Sequence, residues 1–391
     1  MTATFEDELV QLRRRLHQIP ELGLDLPQTQ AVVLDALADL DLEVSTGQGL
    51  SSVVAVLRGR APDRNGRTVL LRGDMDALPV VETTGEPFAA TGSTMHACGH
   101  DLHTAGLVGA ACLLAARVDE LAGDVVFMFQ PGEEGCDGAG AMIGEGVLTA
   151  AGRRVDAAYG LHVFSNMLPL GVVATRPGPL MASSSGVYVT VRGAGGHGSR
   201  PHAAADPIVV AAEMVTSLQT MITRQFDPFD PVVVTVGAFH AGTRRNIIPE
   251  IAQFEATVRT LSVASLAQIE TATVRLCEHV AEAHGVSAEV RFEAEYPVTV
   301  NDAGKTSFAL GVAGELFGGE RVLELGDPVM GSEDFSRVLA EVPGCFLFLG
   351  ACPGDPATAP GNHAPDARFD DSVLVDGARL LTELAYAELA R

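Results

Sequence analysis

Lysine is almost absent from this sequence, and its scarcity limits the chemistry that the chain can support. Lys305 is the only lysine among the 26 lysine and arginine residues. Chemistry that needs a buried catalytic lysine is therefore excluded unless Lys305 supplies it. The excess of arginine is a compositional property, and we assign no function to it.

Net positive charge, long apolar runs and a paired cysteine framework are also lacking. The formal net charge of −24 repels phosphates, so we expect neither nucleic acid nor membranes as partners. No apolar run reaches the length of about 18 residues that a membrane span requires. The first seven residues lack the basic and apolar regions of a secretion signal. Six scattered cysteines are typical of a reducing compartment, and the sequence thus predicts a cytoplasmic protein.

The pattern of helices and strands changes along the chain. Residues 1–179 alternate helices with strands such as the apolar Asp124–Gln130, which suits the centre of a parallel sheet. Residues 180–294 show the order β-α-β-β-α-β, which is that of a ferredoxin-like unit. The alternation returns in residues 295–391. We therefore predict an α/β fold with a mostly parallel central sheet, interrupted by an inserted ferredoxin-like α+β domain.

Residues 95–104 concentrate side chains that bind metals. Three of the eleven histidines fall there, with a cysteine and an aspartate: His96, Cys98, His100, Asp101 and His103. Imidazoles and a thiol this close together are hard to explain as packing and are typical of a metal site. An apolar run at 105–116 predicts a helix directly afterwards, so the ligands would lie at a loop-to-helix junction. A surface loop with solvated histidines is the alternative interpretation.

Further candidate ligands follow the predicted strands at their carboxyl ends, namely Asp76, Glu133, Glu134 and His162. Open α/β sheets place their functional sites at this edge. Of two adjacent glutamates, one can bind a metal while the other takes a proton from water. These positions favour a hydrolytic metal site over a solvated surface loop.

Two other motifs suggest different chemistry. Residues 193–198 satisfy G-x-G-x-x-G, but several residues separate them from the next predicted helix at Asp206. A dinucleotide fingerprint needs glycines that lead directly into a helix, so we reject this interpretation. Cys98 beside a histidine suggests a thiol nucleophile, but that mechanism does not account for Glu133, Glu134 and the remaining histidines.

With these residues in view, the sequence resembles the co-catalytic metallo-amidohydrolases that include aminoacylase, carboxypeptidase G and hippurate hydrolase. The resemblance spans nearly the whole chain and is greatest to the branch of hippurate hydrolase and the plant auxin-conjugate hydrolases. The motifs that carry it occur in order at residues 17–21, 72–79, 96–101, 130–135, 160–162, 196–202, 246–249, 331–335 and 362–365. Such an ordered set makes the match highly specific.

The resemblance implies a centre for two divalent ions, Zn²⁺ or Mn²⁺, with Ni²⁺ and Co²⁺ as further candidates. The implied ligands are Cys98, His100, Glu134, His162 and His363, with Cys98 as the bridge. Glu133 is implied as the general base that activates water and later protonates the leaving amine. Asp74 stands at the position where other branches of the family have a histidine that binds metal. In this sequence His100 is implied to bind metal in place of that histidine. Asp76, His96 and Asp101 are expected beside the ligands, and His103 on the helix surface.

The inserted domain is implied to be a lid and dimerisation domain. His197 matches a residue that stabilises the oxyanion, in relatives often that of the partner subunit. Asn246 and Arg259 match the pair that binds the substrate's α-carboxylate, for which an arginine fork is suited. A homodimer is implied, with a tetramer as the alternative.

The implied substrates are small N-acyl-L-amino acids with acetyl, benzoyl or indoleacetyl groups, whose amide bond is hydrolysed. A dipeptidase or a deacetylase of the N-acetyl-diaminopimelate type is the alternative within the same class. A non-catalytic binding protein on the same scaffold is the alternative from another class.

Overall fold

The computed structural model describes residues 4–391. Its α-helices are α1 (Phe5–His17), α2 (Pro27–Leu37), α3 (His100–Ala115), α4 (Gly138–Gly144), α5 (Pro207–Gln225), α6 (Val263–Ala283), α7 (Ala303–Phe317), α8 (Ser336–Glu341) and α9 (Val373–Leu389). Its strands are β1 (Glu43–Thr46), β2 (Val53–Arg58), β3 (Thr68–Asp74), β4 (Asp124–Gln130), β5 (Ala157–Phe164), β6 (Val173–Thr175), β7 (Gly178–Met181), β8 (Ser184–Arg192), β9 (Gly196–His197), β10 (Val232–Ala241), β11 (Ile247–Ile248), β12 (Ile251–Thr260), β13 (Ser287–Tyr296), β14 (Thr299–Asn301), β15 (Val322–Glu324) and β16 (Gly344–Gly350).

The chain divides into two compact units. The first comprises the described residues up to Leu180 together with Val300–Asp327 and Asp334–Arg391. The second comprises Met181–Thr299 and Pro328–Glu333. None of the described helices has the length and apolar composition that crossing a membrane requires.

An eight-stranded sheet in the order β1-β2-β4-β3-β5-β16-β6-β15 forms the centre of the first unit. Its inner strands β4, β3, β5 and β16 run parallel, whereas β1 and β2 are antiparallel additions at one edge. Every residue of β3, β4 and β16 is buried, which explains their nearly continuous apolar character. The predicted α/β class with a mostly parallel central sheet is confirmed.

The parallel arrangement brings the carboxyl ends of β3, β4 and β5 to one edge of the sheet. Helix α3 packs against α9, α1 and β3. Thirteen of its sixteen residues are buried, so the helix has no extended polar face. Lys305, the only lysine of the sequence, lies away from this edge. Its Nζ contacts the buried carboxylate of Glu388 at 2.7 Å.

The second unit contains a four-stranded antiparallel sheet in the order β10-β12-β8-β13. Its chain order, β8-α5-β10-β12-α6-β13, confirms the predicted β-α-β-β-α-β arrangement. Helices α5 and α6 pack on the sheet, and Met214, Phe254 and Ile269 are buried in their shared core. Side chains alternate along β12, so Arg259 lies on the face opposite this core.

Candidate metal centre

The turn before α3 depends on a glycine. Gly99 is the N-cap of α3 and has a φ of 85°, in the left-handed region that favours glycine. A Cβ at Gly99 would lie 2.4 Å from Cγ2 of Val163. The close approach brings Cys98 and His100 against the end of β5, at a loop-to-helix junction as predicted. The helix begins at His100, earlier than the apolar run indicated.

Five predicted ligands converge at this point. Cys98 Sγ lies 3.2 Å from His363 Nε2 and 3.4 Å from His162 Nε2. His363 Nε2 also lies 3.2 Å from Glu134 Oε1. The ligand atoms of one set, Cys98, His100 and His162, are within 4.8 Å of one another, and so are those of a second set, Cys98, Glu134 and His363. The thiol of Cys98 is thus common to two groups of donors.

The ring nitrogens of two histidines suit a metal. His100 Nδ1 lies 2.9 Å from the carbonyl oxygen of Asp76, and His162 Nδ1 lies 2.8 Å from that of Val163. A carbonyl only accepts hydrogen bonds, so in the neutral form of each ring Nδ1 carries the hydrogen and Nε2 presents a lone pair. Against the effect of burial, Asp74 and Cys98 raise the pKa of His100, so a metal would have to displace a proton from that ring. His100 Nε2 is buried and has no hydrogen-bond partner among the described residues. Together with the thiol and carboxylate, these nitrogens fit a divalent cation.

Protons compete with a cation for this cluster. Hydrogen bonds to Cys98 and Glu134 raise the pKa of His363 to about 10. Burial and the neighbouring His103 hold the pKa of His162 well below its ordinary value. A metal must displace a proton from His363, whereas His162 is already neutral. Metal affinity should therefore rise with pH.

His363 reaches the cluster through a strained backbone. Its φ of 71° is rare outside glycine and costs about 1–3 kcal/mol. The His363 N–H donates to the carbonyl oxygen of Ala97 at 2.8 Å. The Asn362 side chain donates to the carbonyl oxygens of Val163 and Cys98, at 3.0 and 3.3 Å. These bonds join the loop to the Cys98 turn and to β5.

Asp76 supports the two adjacent glutamates. Its carboxylate oxygens accept the backbone N–H groups of Glu133 and Glu134, each at 3.0 Å. The Glu133 side chain is buried, and its carboxylate lies within 4.8 Å of the ligand atoms of Glu134 and His100. Asp76 therefore orients the turn that carries Glu133, and Glu133 lies beside the metal-ligand cluster.

Two expectations from the sequence are wrong in detail. His103 is 4% exposed and not on a helix surface, because α3 is covered by β3, α1 and α9. His162 lies within β5 and not after it, because β5 continues to Phe164 in parallel register with β16. His96 and Asp101 are buried, each within two residues of a proposed ligand in the sequence.

A buried ion cluster under α3 was not foreseen from the sequence. His17 Nδ1 lies 2.8 Å from Asp101 Oδ2, and His17 Nε2 lies 3.1 Å from Glu82 Oε2. Arg13 Nε lies 2.7 Å from the same Asp101 oxygen. Because Asp101 follows His100, this cluster ties the first turn of α3 to α1. The sequence signals it only by placing an arginine and a histidine one turn apart, at Arg13 and His17.

The ion cluster predicts a pH-dependent stability. Burial opposes the charged form of His17, but Asp101 and Glu82 outweigh it and raise the pKa of His17 to about 9. The unfolded value is about 6.5, so this stabilisation is complete below pH 6.5 and is lost as pH rises through 9. Across that window we expect a loss of up to about 3 kcal/mol in the free energy of unfolding. Denaturant titrations in the presence of chelator should show that the free energy of unfolding falls less across this pH window in His17→Gln than in the wild type. An equal fall in the two proteins would contradict the assignment.

In the second unit, His197 and Asn246 lie on one short ribbon. β9 pairs with β11, and the Gly198 N–H donates to the carbonyl oxygen of Asn246 at 2.9 Å. The Ser199 N–H donates to His197 Nδ1 at 3.1 Å, and the Ser199 hydroxyl contacts the same nitrogen at 2.8 Å. Since a backbone N–H only donates, Nε2 carries the ring hydrogen of neutral His197. His197 can thus donate a hydrogen bond.

Arg259 is half-buried on β12. Its NH1 group donates to Ser184 Oγ at 2.7 Å, and the Ser184 hydroxyl donates to Glu295 Oε2 at 2.5 Å. Burial lowers the pKa of Arg259, although Glu295 opposes the shift. An arginine in this environment is suited to bind an anion with its remaining N–H groups.

Comparisons with known proteins agree with this geometry. Residues 70–387 match the family model described as peptidase family M20/M25/M40. Thermostable carboxypeptidase 2 of Saccharolobus solfataricus is 38% identical over 390 residues, which are 98% of this chain and 95% of that protein. IAA-amino acid hydrolase ILR1-like 4 of Arabidopsis thaliana is 37% identical over 387 residues, 97% of this chain and 86% of that protein.

A solved structure is similar over the whole chain. The Bacillus subtilis YXEP protein, described as a dinuclear metal binding peptidase from the M20 family, superposes with a TM-score of 0.84. It is 32% identical, and the match covers 99% of each chain. These comparisons confirm the resemblance that the ordered motifs indicated.

Proposed function

Because the chain belongs to peptidase family M20/M25/M40 and is therefore a metal-dependent amide hydrolase, we propose that it cleaves N-acyl-L-amino acids. The observation that carries the proposal is the convergence of the five donors beside the buried carboxylate of Glu133. Relatives are named for hydrolysing amino-acid conjugates and for carboxypeptidase activity, and both reactions cleave an amide on the nitrogen of an amino acid.

The donor geometry supports two divalent ions. Cys98 belongs to both three-residue sets of ligand atoms, so its thiolate is suited to bridge two cations. His100, His162, Glu134 and His363 complete the proposed ligand set. A mixture of thiolate, imidazole and carboxylate suits Zn²⁺ or Mn²⁺, with Ni²⁺ and Co²⁺ as further candidates. Such ions polarise the amide carbonyl and lower the pKa of water.

The side chains of this chain supply the proton transfers. The Glu133 carboxylate takes a proton from the attacking water and gives it to the departing amine nitrogen. The Asp76 carboxylate holds the backbone on which Glu133 sits. The Nε2–H group of His197 is the proposed donor to the oxyanion of the tetrahedral intermediate. Asn246 and Arg259 are proposed to bind the substrate's α-carboxylate.

The role of Arg259 predicts a selective loss of substrate binding. A hydrogen bond between charged groups contributes about 1.5–3 kcal/mol, so Arg259→Ala should raise KM by roughly 10- to 100-fold. The effect should be confined to substrates with a free α-carboxylate and absent for the corresponding amides. Steady-state kinetics with both substrates measure this difference. The matched control is Arg275→Ala, which replaces an exposed arginine on α6. An unchanged KM in Arg259→Ala would contradict the assignment.

The substrate class is tested by varying the two halves of the substrate separately. The metal-reconstituted protein is assayed with acetyl, benzoyl and indoleacetyl groups on one amino acid, and then with one acyl group on several amino acids. Hydrolysis of these conjugates in preference to dipeptides supports the proposal. A preference for dipeptides, or for N-acetyl-diaminopimelate, would favour the alternative peptidase or deacetylase. Binding without turnover of any amide would favour a non-catalytic binding protein.

We also propose that the second unit forms a homodimer, with a tetramer as the alternative. β10 is an edge strand of its sheet, and such strands offer unpaired backbone groups to a partner. Phe229, Val233 and Phe239 on or before this strand are 95%, 40% and 40% exposed. Sedimentation velocity that finds only monomers at micromolar concentration would contradict a dimer.

The proposed compartment is the cytoplasm. All six cysteines are free thiols. Reduced thiols are typical of that compartment. A Cys98 thiolate that ligates metal also requires that the thiol stay reduced.

A further inference from the structure

His103 packs between two of the proposed ligand rings. Its ring centroid lies 5.4 Å from that of His100 and 4.8 Å from that of His162. His103 Nε2 accepts the backbone N–H of Val163, the residue after His162, at 2.8 Å. Its other nitrogen, Nδ1, therefore carries the ring hydrogen. His103 thus contacts both ligand histidines and is hydrogen-bonded to the strand that carries one of them.

Asp74 at the end of β3 anchors His103. Asp74 Oδ1 accepts from His103 Nδ1 at 2.5 Å, and Asp74 Oδ2 accepts from Arg72 NH1 at 2.6 Å. The Thr104 hydroxyl donates to the carbonyl oxygen of Asp74 at 2.7 Å. Arg72 is itself held by Gln130, at 2.8 Å, and by Asp334, at 3.0 Å. The carboxylate of Asp74 is therefore oriented from both sides.

Asp74 and His103 do not form a second metal site with His100. The ligand atoms of Asp74, His100 and His103 do lie within 4.8 Å of one another. Both nitrogens of His103 are nevertheless engaged, one by Asp74 and the other by the Val163 N–H. The Arg72 guanidinium is also an ion-pair partner of Asp74 and would repel a cation at this position. The hydrogen bonds fit a supporting role better than ligation.

We propose that Asp74 and His103 are positioning residues that hold the His100 and His162 rings in the orientation that the metal centre requires. The proposal rests on the proposed metal-dependent function. The hydrogen-bonded series Arg72–Asp74–His103–Val163 joins β3, α3 and β5, and the last two carry His100 and His162. Loss of such outer partners typically weakens metal affinity by about 10- to 100-fold without removing a ligand.

The test compares metal affinity with stability of the metal-free chain. His103→Phe keeps a ring between the two ligands but loses both hydrogen bonds, and it should bind Zn²⁺ about 10- to 100-fold more weakly in competition with a chelator. His103→Gln retains an acceptor for the Val163 N–H and should be intermediate. The absorption bands of the Co²⁺-substituted protein should change in His103→Phe, since they report ligand geometry. Circular dichroism and thermal melting in chelator show whether each variant is folded.

Asp74→Asn provides an independent measurement. It keeps the size of the side chain but alters the bond to His103, so it should weaken Zn²⁺ binding as well. If the two residues act together, the double variant Asp74→Asn/His103→Phe should bind little more weakly than the poorer single variant. His279→Phe, at an exposed position on α6, is the matched control and should bind Zn²⁺ like wild type.

The outcomes separate this inference from the proposed function. Wild-type affinity and Co²⁺ spectra in His103→Gln and Asp74→Asn would overturn the positioning role, even if His103→Phe did not fold. A wild-type protein that takes up no Zn²⁺ would instead overturn the proposed metal-dependent function. Weakened binding in folded variants of a metal-binding wild type would support the inference.

Discussion

Replacing Glu133 with glutamine is expected to lower kcat by about 10²- to 10⁴-fold while the protein still binds its metal ions. Glutamine matches the size of glutamate but cannot accept the proton of the attacking water, and general acid–base catalysis contributes about this factor. The hydrogen bond from the Glu133 N–H to Asp76 involves only backbone on the Glu133 side and should persist. Steady-state kinetics on protein of known metal content give the result.

Two variants define the interpretation of Glu133→Gln. Glu134→Gln removes a proposed ligand and should lose metal together with activity. Glu278→Gln, at an exposed position on α6, should behave like wild type. Near-wild-type turnover in Glu133→Gln would show that another group moves the proton. Loss of metal from Glu133→Gln would show that Glu133 is a ligand and not the base.

Replacing Cys98 with serine should abolish stable metal binding. The Cys98 thiol lies within 3.4 Å of both His162 and His363, and it belongs to both sets of ligand atoms. A serine hydroxyl is not ionised near neutral pH, so it would not supply the negative charge that a Cys98 thiolate would bring to the proposed ligand set. We expect the affinity for Zn²⁺ to fall by more than about 100-fold, beyond the effect typical of an outer partner. Elemental analysis after dialysis, together with chelator competition, measures the change.

Cys136→Ser is the matched control, because Cys136 is exposed and lies just after the two glutamates. It should retain metal and activity. Full metal content with no turnover in Cys98→Ser would revive the interpretation of Cys98 as a nucleophile. Alkylation of the thiols should inactivate the protein only when metal is also lost.

Several candidate metal-binding residues could be recognised from the sequence because they occupy regular positions in the fold, whereas His363 was implied as a ligand only by the family resemblance. Glu133 and Glu134 follow a buried strand, and parallel strands present their carboxyl ends at one edge of a sheet. Cys98 precedes the apolar helix α3 and His100 begins it, and both residues reach the same edge. These relations depend on local patterns and general topology, so they could be recognised without coordinates.

His103 could not be placed correctly from the same patterns. We expect a histidine that is not a ligand to lie on the helix surface, but α3 lacks the polar outer face that most helices on a protein surface have. The side chains that cover α3 come from α1, α9 and β3. Helices α1 and α9 lie at opposite ends of the chain. Only the uniform apolar character of the residues after His103 hinted that the helix is buried on all sides.

The buried ion networks were also beyond prediction, because their partners are distant in sequence. Arg72 pairs with Asp334, 262 residues away, and His17 pairs with Asp101, 84 residues away. Each of these charges would be costly to bury alone and is stabilised only by its partner. The sequence shows the charged residues but does not specify which of them meet.

Hydrolysis of N-acyl-L-amino acids is proposed to depend on metal held by the five ligands Cys98, His100, Glu134, His162 and His363. The most direct measurement is a titration of the metal-free protein with Zn²⁺ or Mn²⁺, in which bound ions and hydrolysis of an N-acetyl-L-amino acid are followed together. We predict no turnover without metal and a rise that saturates when the second ion is bound. Undiminished turnover in the fully chelated protein would contradict the claim.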